Sequence, residues 1–112
     1  RPRRAKAITG TVTSQLPGQL PRNAELVVSL IDVSSRISTM HPVAQQTIRD
    51  PGPFPVPFEL EINTDRVETG RRYALRAVLT INGLLAQRTR EDQVVDLNAR
   101  PLRYRLTLER AR

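Results

Sequence analysis

Alternating apolar and polar positions run through most of the chain and predict β-strands. The pattern is clearest in the segment 51–62. There, one face of an extended chain carries Phe54, Val56, Phe58, Leu60 and Ile62. Proline occupies every second position from residue 51 to residue 57, which excludes a helix and removes the N–H donors from one side of the strand. We therefore predict an edge strand that pairs on one side only and turns its apolar face to the core.

The same alternation predicts strands elsewhere in the chain. Residues 25–33 are apolar on both faces, which is typical of a central strand. Residues 72–81 alternate well, and Asn82-Gly83 then predicts a two-residue type I′ hairpin with a return strand over 84–90. Gly10 indicates a bulge or a close neighbour within the first strand, and Asn63 suits the start of one helical turn. The remaining strands are expected at 6–14, 43–49, 94–97 and 102–109.

Seven to eight short strands separated by turn residues predict an all-β fold, specifically a small antiparallel β-sandwich. At 112 residues the chain fits one domain. We expect residues 1–6 to form a basic N-terminal tether and residues 7–112 to form the single sandwich domain. Because the chain starts with Arg1 rather than methionine, we also expect a targeting segment to have preceded it.

The formal charge of +7 is concentrated at the two ends of the chain. Segments 1–6 and 100–112 hold nine of the 18 basic residues and one acidic residue, whereas segment 7–99 holds nine basic and ten acidic residues. The four aromatic residues all fall on predicted inward faces, so no platform for base stacking is expected. We predict no nucleic-acid partner. A basic nucleic-acid binder stays open as an alternative, and it requires strongly salt-dependent binding.

The pattern of reactive residues predicts neither an enzyme nor a cofactor or metal site. Cysteine is absent. His41 is the one histidine, and the sequence offers it no specific catalytic partner. Glu59 and Glu61 share the polar face of the proline-rich strand, which favours two carboxylates that are simply exposed to solvent. A cation could contact Glu91, Asp92 and Asp96, but these residues lack the ligand density of a calcium loop.

Several segments, taken in order, resemble a known family. They are ITGTV at 8–12, ELVVSLIDVS at 25–34, AQQTI at 44–48, PGPFPVPFEL at 51–60 and RRYALRA at 71–77. This order resembles the YbaY/YscW family of small bacterial lipoproteins, which includes the pilotins of type III secretion systems. The most specific pieces are the LxDVS strand end and the PxPFEL strand.

The resemblance implies a β-sandwich attached to the bacterial outer membrane, on its periplasmic face, through an N-terminal lipidated cysteine that this chain lacks. For the pilotin branch it also implies a partner, the secretin subunit of a type III secretion system, which the pilotin delivers to the outer membrane. We therefore expect an outer-membrane lipoprotein pilotin. The alternative is a YbaY-like envelope lipoprotein with another structural or ligand-binding role.

A pilotin must hold a short segment of its partner, at a sheet edge or in an apolar groove. Because proline blocks one edge, the candidate partner-binding residues are exposed apolar ones. They are Ile37 and Met40 on the loop 34–42, and Leu84 and Leu85 beside the hairpin turn. The alternative for each is that it folds back onto the core.

Overall fold

A computed structural model describes residues 5–15, 22–34, 42–99 and 101–110. In this part of the chain there are eight strands and one 3-10 turn, Thr64–Arg66. The strands are β1 Ala5–Ser14, β2 Ala24–Asp32, β3 Ala44–Arg49, β4 Val56–Asn63, β5 Tyr73–Ile81, β6 Leu84–Thr89, β7 Gln93–Val95 and β8 Arg103–Arg110. The all-β class and the strand number are thus confirmed. Among the described residues there is no apolar helix of the length that a membrane span requires.

The expectation of an antiparallel sandwich is wrong. Seven strands follow one another in a single sheet, in the order β3-β2-β5-β6-β8-β1-β4, and β7 pairs separately with β5. β1 and β8 pair in parallel, whereas the other pairs are antiparallel. That parallel pair joins the first strand to the last. All the strands therefore belong to one sheet, which curls into a nearly closed barrel instead of separating into two layers.

The edge-strand prediction for the proline segment is confirmed, because β4 lies at one end of the strand order and β3 at the other. The Glu59 N–H donates to the Gln46 side-chain oxygen on β3, at 2.9 Å. Alternate N–H groups of a strand point the same way, so position 57 also faces β3, but Pro57 has no N–H to offer. The two end strands therefore do not form a backbone ladder, and the barrel stays open at this seam.

The core fills the inside of the barrel with buried apolar residues from six strands, and Ala44 and Ile48 of β3 pack against it partly buried. Fully buried members include Ile8, Val12, Leu26, Val28, Leu30, Val56, Leu60, Ile62, Leu75, Leu79 and Leu108. The predicted apolar face of the proline segment lies in this core: Val56, Phe58, Leu60 and Ile62 are buried, and Phe54 packs against them half-buried.

Two glycine predictions are confirmed. A Cβ at Gly10 would overlap the carbonyl oxygen of Tyr104 on β8 and lie 2.8 Å from its carbonyl carbon, so glycine permits the close approach of β1 and β8. Asn82 and Gly83 have φ values of 55° and 79°, as a type I′ turn requires. The expected helical turn also forms, with the Asn63 side chain accepting from the Asp65 N–H at 2.9 Å.

Candidate partner-binding surface

The hairpin that joins β5 to β6 carries two exposed leucines, which we call the distal tip. Leu84 is 73% exposed and Leu85 is 49% exposed. Leu85 pairs with Thr80 across the hairpin, and Leu84 pairs with Ile81 next to the turn. The alternative that these two leucines fold back onto the core is therefore wrong, and their role in binding a partner stays a prediction. In the described part of the chain, Val94 on β7 is the other large apolar residue that is this exposed, at 54%.

A bulge in β6 determines which of the residues after Leu85 point to the outer face of the barrel. Thr80 pairs with Leu85 but Leu79 pairs with Gln87, so Ala86 is an extra residue in β6. Because Leu79 faces the core, the shifted register turns Gln87 inward and Arg88 outward. The buried Gln87 side-chain oxygen accepts a hydrogen bond from the Ser14 hydroxyl at 2.5 Å.

The distal tip lies at the opposite end of the barrel from the start of β1. β1 runs from Ala5 to Ser14, and the register aligns Ser14 with Leu108, which in turn pairs with Thr89 of β6. The hairpin therefore extends beyond the far end of β1. From Lys6 to Ser14 alone the strand rise covers roughly 26 Å.

A groove of about 420 Å³, which we call the proximal groove, lies at the end where β1 begins. Its walls come from β1, the segment after the 3-10 turn and the segment after β7. The Lys6 ammonium donates to the Leu97 carbonyl at 2.8 Å, and the Tyr73 hydroxyl accepts from the Glu68 N–H at 2.9 Å. These bonds tie the walls to one another, so several of the groove's polar groups already have partners within the chain.

The LxDVS segment forms a structural clamp. The buried Asp32 carboxylate accepts from the Ser34 N–H at 2.8 Å and from the Arg71 guanidinium at 2.9 Å. The Ser34 hydroxyl accepts from the Arg72 N–H at 2.6 Å, and the Val33 N–H donates to the Arg72 carbonyl at 2.8 Å. Burial acts to raise the pKa of Asp32, but the hydrogen bonds from Ser34 and Arg71 outweigh it and hold the pKa below its ordinary value. The motif therefore fastens the end of β2 to the start of β5.

Three arginines that sequence reasoning did not bring together line one concavity of about 270 Å³; we call Arg88, Arg90 and Arg110 the arginine cluster. Glu109, opposite Arg88 in the β6–β8 pair, is the fourth lining residue. The alternation of Arg88 and Arg90 in the return strand was the available signal. Their meeting with Arg110 depends on the pairing of β6 with β8 and on the bulge.

The remaining sequence candidates are either outside the described residues or exposed. Ile37, Met40 and His41 lie outside the described residues. Glu59 and Glu61 are exposed on the outer face of β4. Within the described ranges, no group of three or more acidic or histidine side chains is arranged to hold a metal ion.

Comparison with known proteins adds two findings. A family model described as "Type III secretion system lipoprotein chaperone (YscW)" matches residues 3–108. The fold is similar to that of an alternative pilotin from the type II secretion system of Vibrio cholerae, with a TM-score of 0.84 and 24% sequence identity, over 96% of this chain and 98% of that one. No curated protein sequence matches this chain.

Proposed function

Because the chain belongs to the YscW family of type III secretion system lipoprotein chaperones, which are not enzymes, we propose that it acts as a pilotin: it binds a secretin subunit through the distal tip and delivers that subunit to the outer membrane. The choice of this surface rests on one observation. Leu84 and Leu85 are exposed on a hairpin whose first strand, β5, packs in the core. Exposed apolar side chains on a rigid element can anchor a short partner segment.

The position of the distal tip suits a domain held to a membrane by its N-terminus. We propose that a lipidated cysteine precedes this chain on the periplasmic face of the outer membrane, and that the tether predicted at 1–6 is limited to the residues before β1, because β1 begins at Ala5. The start of β1 would then face the lipid, and the hairpin at the far end would face the periplasm. A secretin subunit arriving from the periplasm would meet the distal tip first.

The open seam is a poorer docking site for an extended segment than the distal tip. On β4 the N–H groups that face the seam are interrupted by Pro57, and the neighbouring Glu59 N–H already has Gln46 as its partner. Addition of a strand to β4 would therefore lack consecutive donors. An apolar contact at the hairpin requires no such ladder.

A pull-down with peptides that tile the secretin of the same organism tests the proposal. The wild-type domain should retain at least one peptide. The L84S/L85S variant should lose that peptide, whereas the V94S variant, which removes a similarly exposed apolar side chain from β7, should keep it. Circular dichroism on each variant checks that the fold is intact.

Two results would count against the proposal. If no secretin peptide binds the folded wild-type domain, the pilotin role fails and the YbaY-like alternative, an envelope lipoprotein with another role, is favoured. If a peptide binds equally well to L84S/L85S and to wild type, the pilotin role stands but the distal tip is the wrong surface.

A further inference from the structure

We propose that the arginine cluster binds carboxylate side chains of the partner segment, next to the apolar contact at the distal tip. This inference rests on the proposed function for the identity of the partner. The chemistry of the site is argued independently, from the charges that Arg88, Arg90 and Arg110 bring together.

The guanidinium groups of the cluster have no partner among the described residues, unlike those of Arg71 and Arg76. Arg76 makes two 2.9 Å bonds to Asp92, and Arg71 bonds to Asp32 at 2.9 Å. By contrast, no hydrogen bond or ion pair joins Arg88, Arg90 or Arg110 to any described residue, although all three line the same concavity.

Three like charges around one concavity repel each other, and a single carboxylate, that of Glu109, is present among them. The lining residues therefore carry an excess of positive charge that a bound anion would neutralise. Guanidinium groups suit carboxylates because their planar N–H pairs match the two oxygens in a bidentate arrangement. The cluster is consequently complementary to an acidic segment.

The position of the cluster favours an acidic protein segment over a membrane surface. Arg88 pairs with Val78, and Leu85 pairs with Thr80, two residues away on β5. The backbones at these two positions are therefore roughly 7 Å apart, close enough for one short segment to reach both. The cluster also lies in the distal half of the barrel. It is therefore away from the start of β1, where the proposed lipid anchor would attach the domain to the membrane.

Affinity measurements on the full chain test the inference with three probes. They are the secretin peptide retained in the pull-down, a synthetic peptide of alternating glutamate and leucine, and phosphatidylglycerol vesicles. The variant R88Q/R90Q/R110Q removes the cluster. The matched variant R22Q/R66Q/R72Q removes the same charge from exposed positions outside β6 and β8.

The cluster variant should bind both peptides at least about tenfold more weakly at low salt, and the matched variant should change the affinity by about twofold or less. Amide substitution of the acidic residues in the secretin peptide should produce a similar loss on the wild-type chain and little further loss on the cluster variant. Added salt should reduce the difference between the variants.

Equal losses in the two variants would overturn the inference, because only net charge would then matter. A glutamate–leucine peptide that fails to bind wild type would overturn it too, as would a cluster variant that loses vesicle binding and keeps peptide binding. If no secretin peptide binds but the glutamate–leucine peptide binds through the cluster, the proposed function fails while the acidic-segment site stands.

Discussion

Substitution of Gly10 by alanine tests the contact on which the barrel depends, the parallel pairing of β1 with β8. An added Cβ would overlap the Tyr104 carbonyl oxygen and lie 2.8 Å from the carbonyl carbon and 3.0 Å from Phe58 Cε2. Two of these atoms belong to backbone, so the overlap is relieved only if the two strands move apart. Such movement weakens the ladder that joins the first strand to the last.

The expected cost of Gly10→Ala is about 3 kcal/mol in the free energy of unfolding, at the upper end of the usual range for overpacking. Without the overlap, the loss of glycine's freedom in the unfolded chain would instead stabilise the protein by about 0.4–1 kcal/mol. The sign of the effect therefore reports on the contact. For a small domain, 3 kcal/mol is a large part of a total stability of about 5–15 kcal/mol.

Urea denaturation followed by circular dichroism measures this difference. Gly70→Ala is the matched control, because a Cβ at Gly70 meets nothing within 4 Å and its φ of +90° gives a conformational cost alone, of about 1–2 kcal/mol. We expect Gly10→Ala to be clearly less stable than Gly70→Ala. A Gly10→Ala variant as stable as wild type would refute the description of the β1–β8 junction.

Three further predictions concern the clamp, the seam and the distal tip. Because the folded-state pKa of Asp32 lies below its ordinary value of 3.8, its ionised form stabilises the fold above that value, and this stabilisation should be lost as pH falls through and below 3.8. The stability of Asp32→Asn relative to wild type should therefore rise in acid, which denaturation at several pH values measures; a constant difference would contradict the clamp. Gln46→Ala should cost about 0.5–1 kcal/mol through loss of the bond across the seam, whereas the neighbouring exposed Gln45→Ala should cost almost nothing; equal urea midpoints for the two would contradict the bond. L84S/L85S should change the free energy of unfolding by less than about 0.5 kcal/mol, since both leucines are exposed, and a loss of several kcal/mol would show that they belong to the core.

Features set by local backbone chemistry were predictable from the sequence. Alternate prolines restrict the backbone and remove N–H donors wherever they occur, so β4 was predicted as an edge strand with the correct buried face. The Asn82-Gly83 turn was predictable for the same reason, because few residue pairs adopt two positive φ values.

The barrel was not predictable because a sandwich and a curled sheet bury the same alternate residues. Distinguishing them requires the pairing of β1 with β8, two strands separated by almost the whole chain. Gly10 signalled a close neighbour, but the sequence does not identify Tyr104 as that neighbour.

The candidate site also has one part that the sequence predicts and one part that it does not. Leu84 and Leu85 follow a hairpin turn, so their exposure could be anticipated. The arginine cluster could not be anticipated, because the run Leu84-Leu85-Ala86 is apolar at successive positions and does not indicate which of the following residues face outward. The bulge at Ala86 determines this alternation, and it places Arg88 on the outer face.

The most direct test of the account is an NMR titration of the isotope-labelled domain with the secretin peptide that it retains. We predict that the largest shift changes fall on the methyl groups of Leu84 and Leu85 and on the side-chain N–H groups of the arginine cluster. Changes concentrated at the proximal groove, around Val67 and Leu97, with an unperturbed hairpin would contradict it.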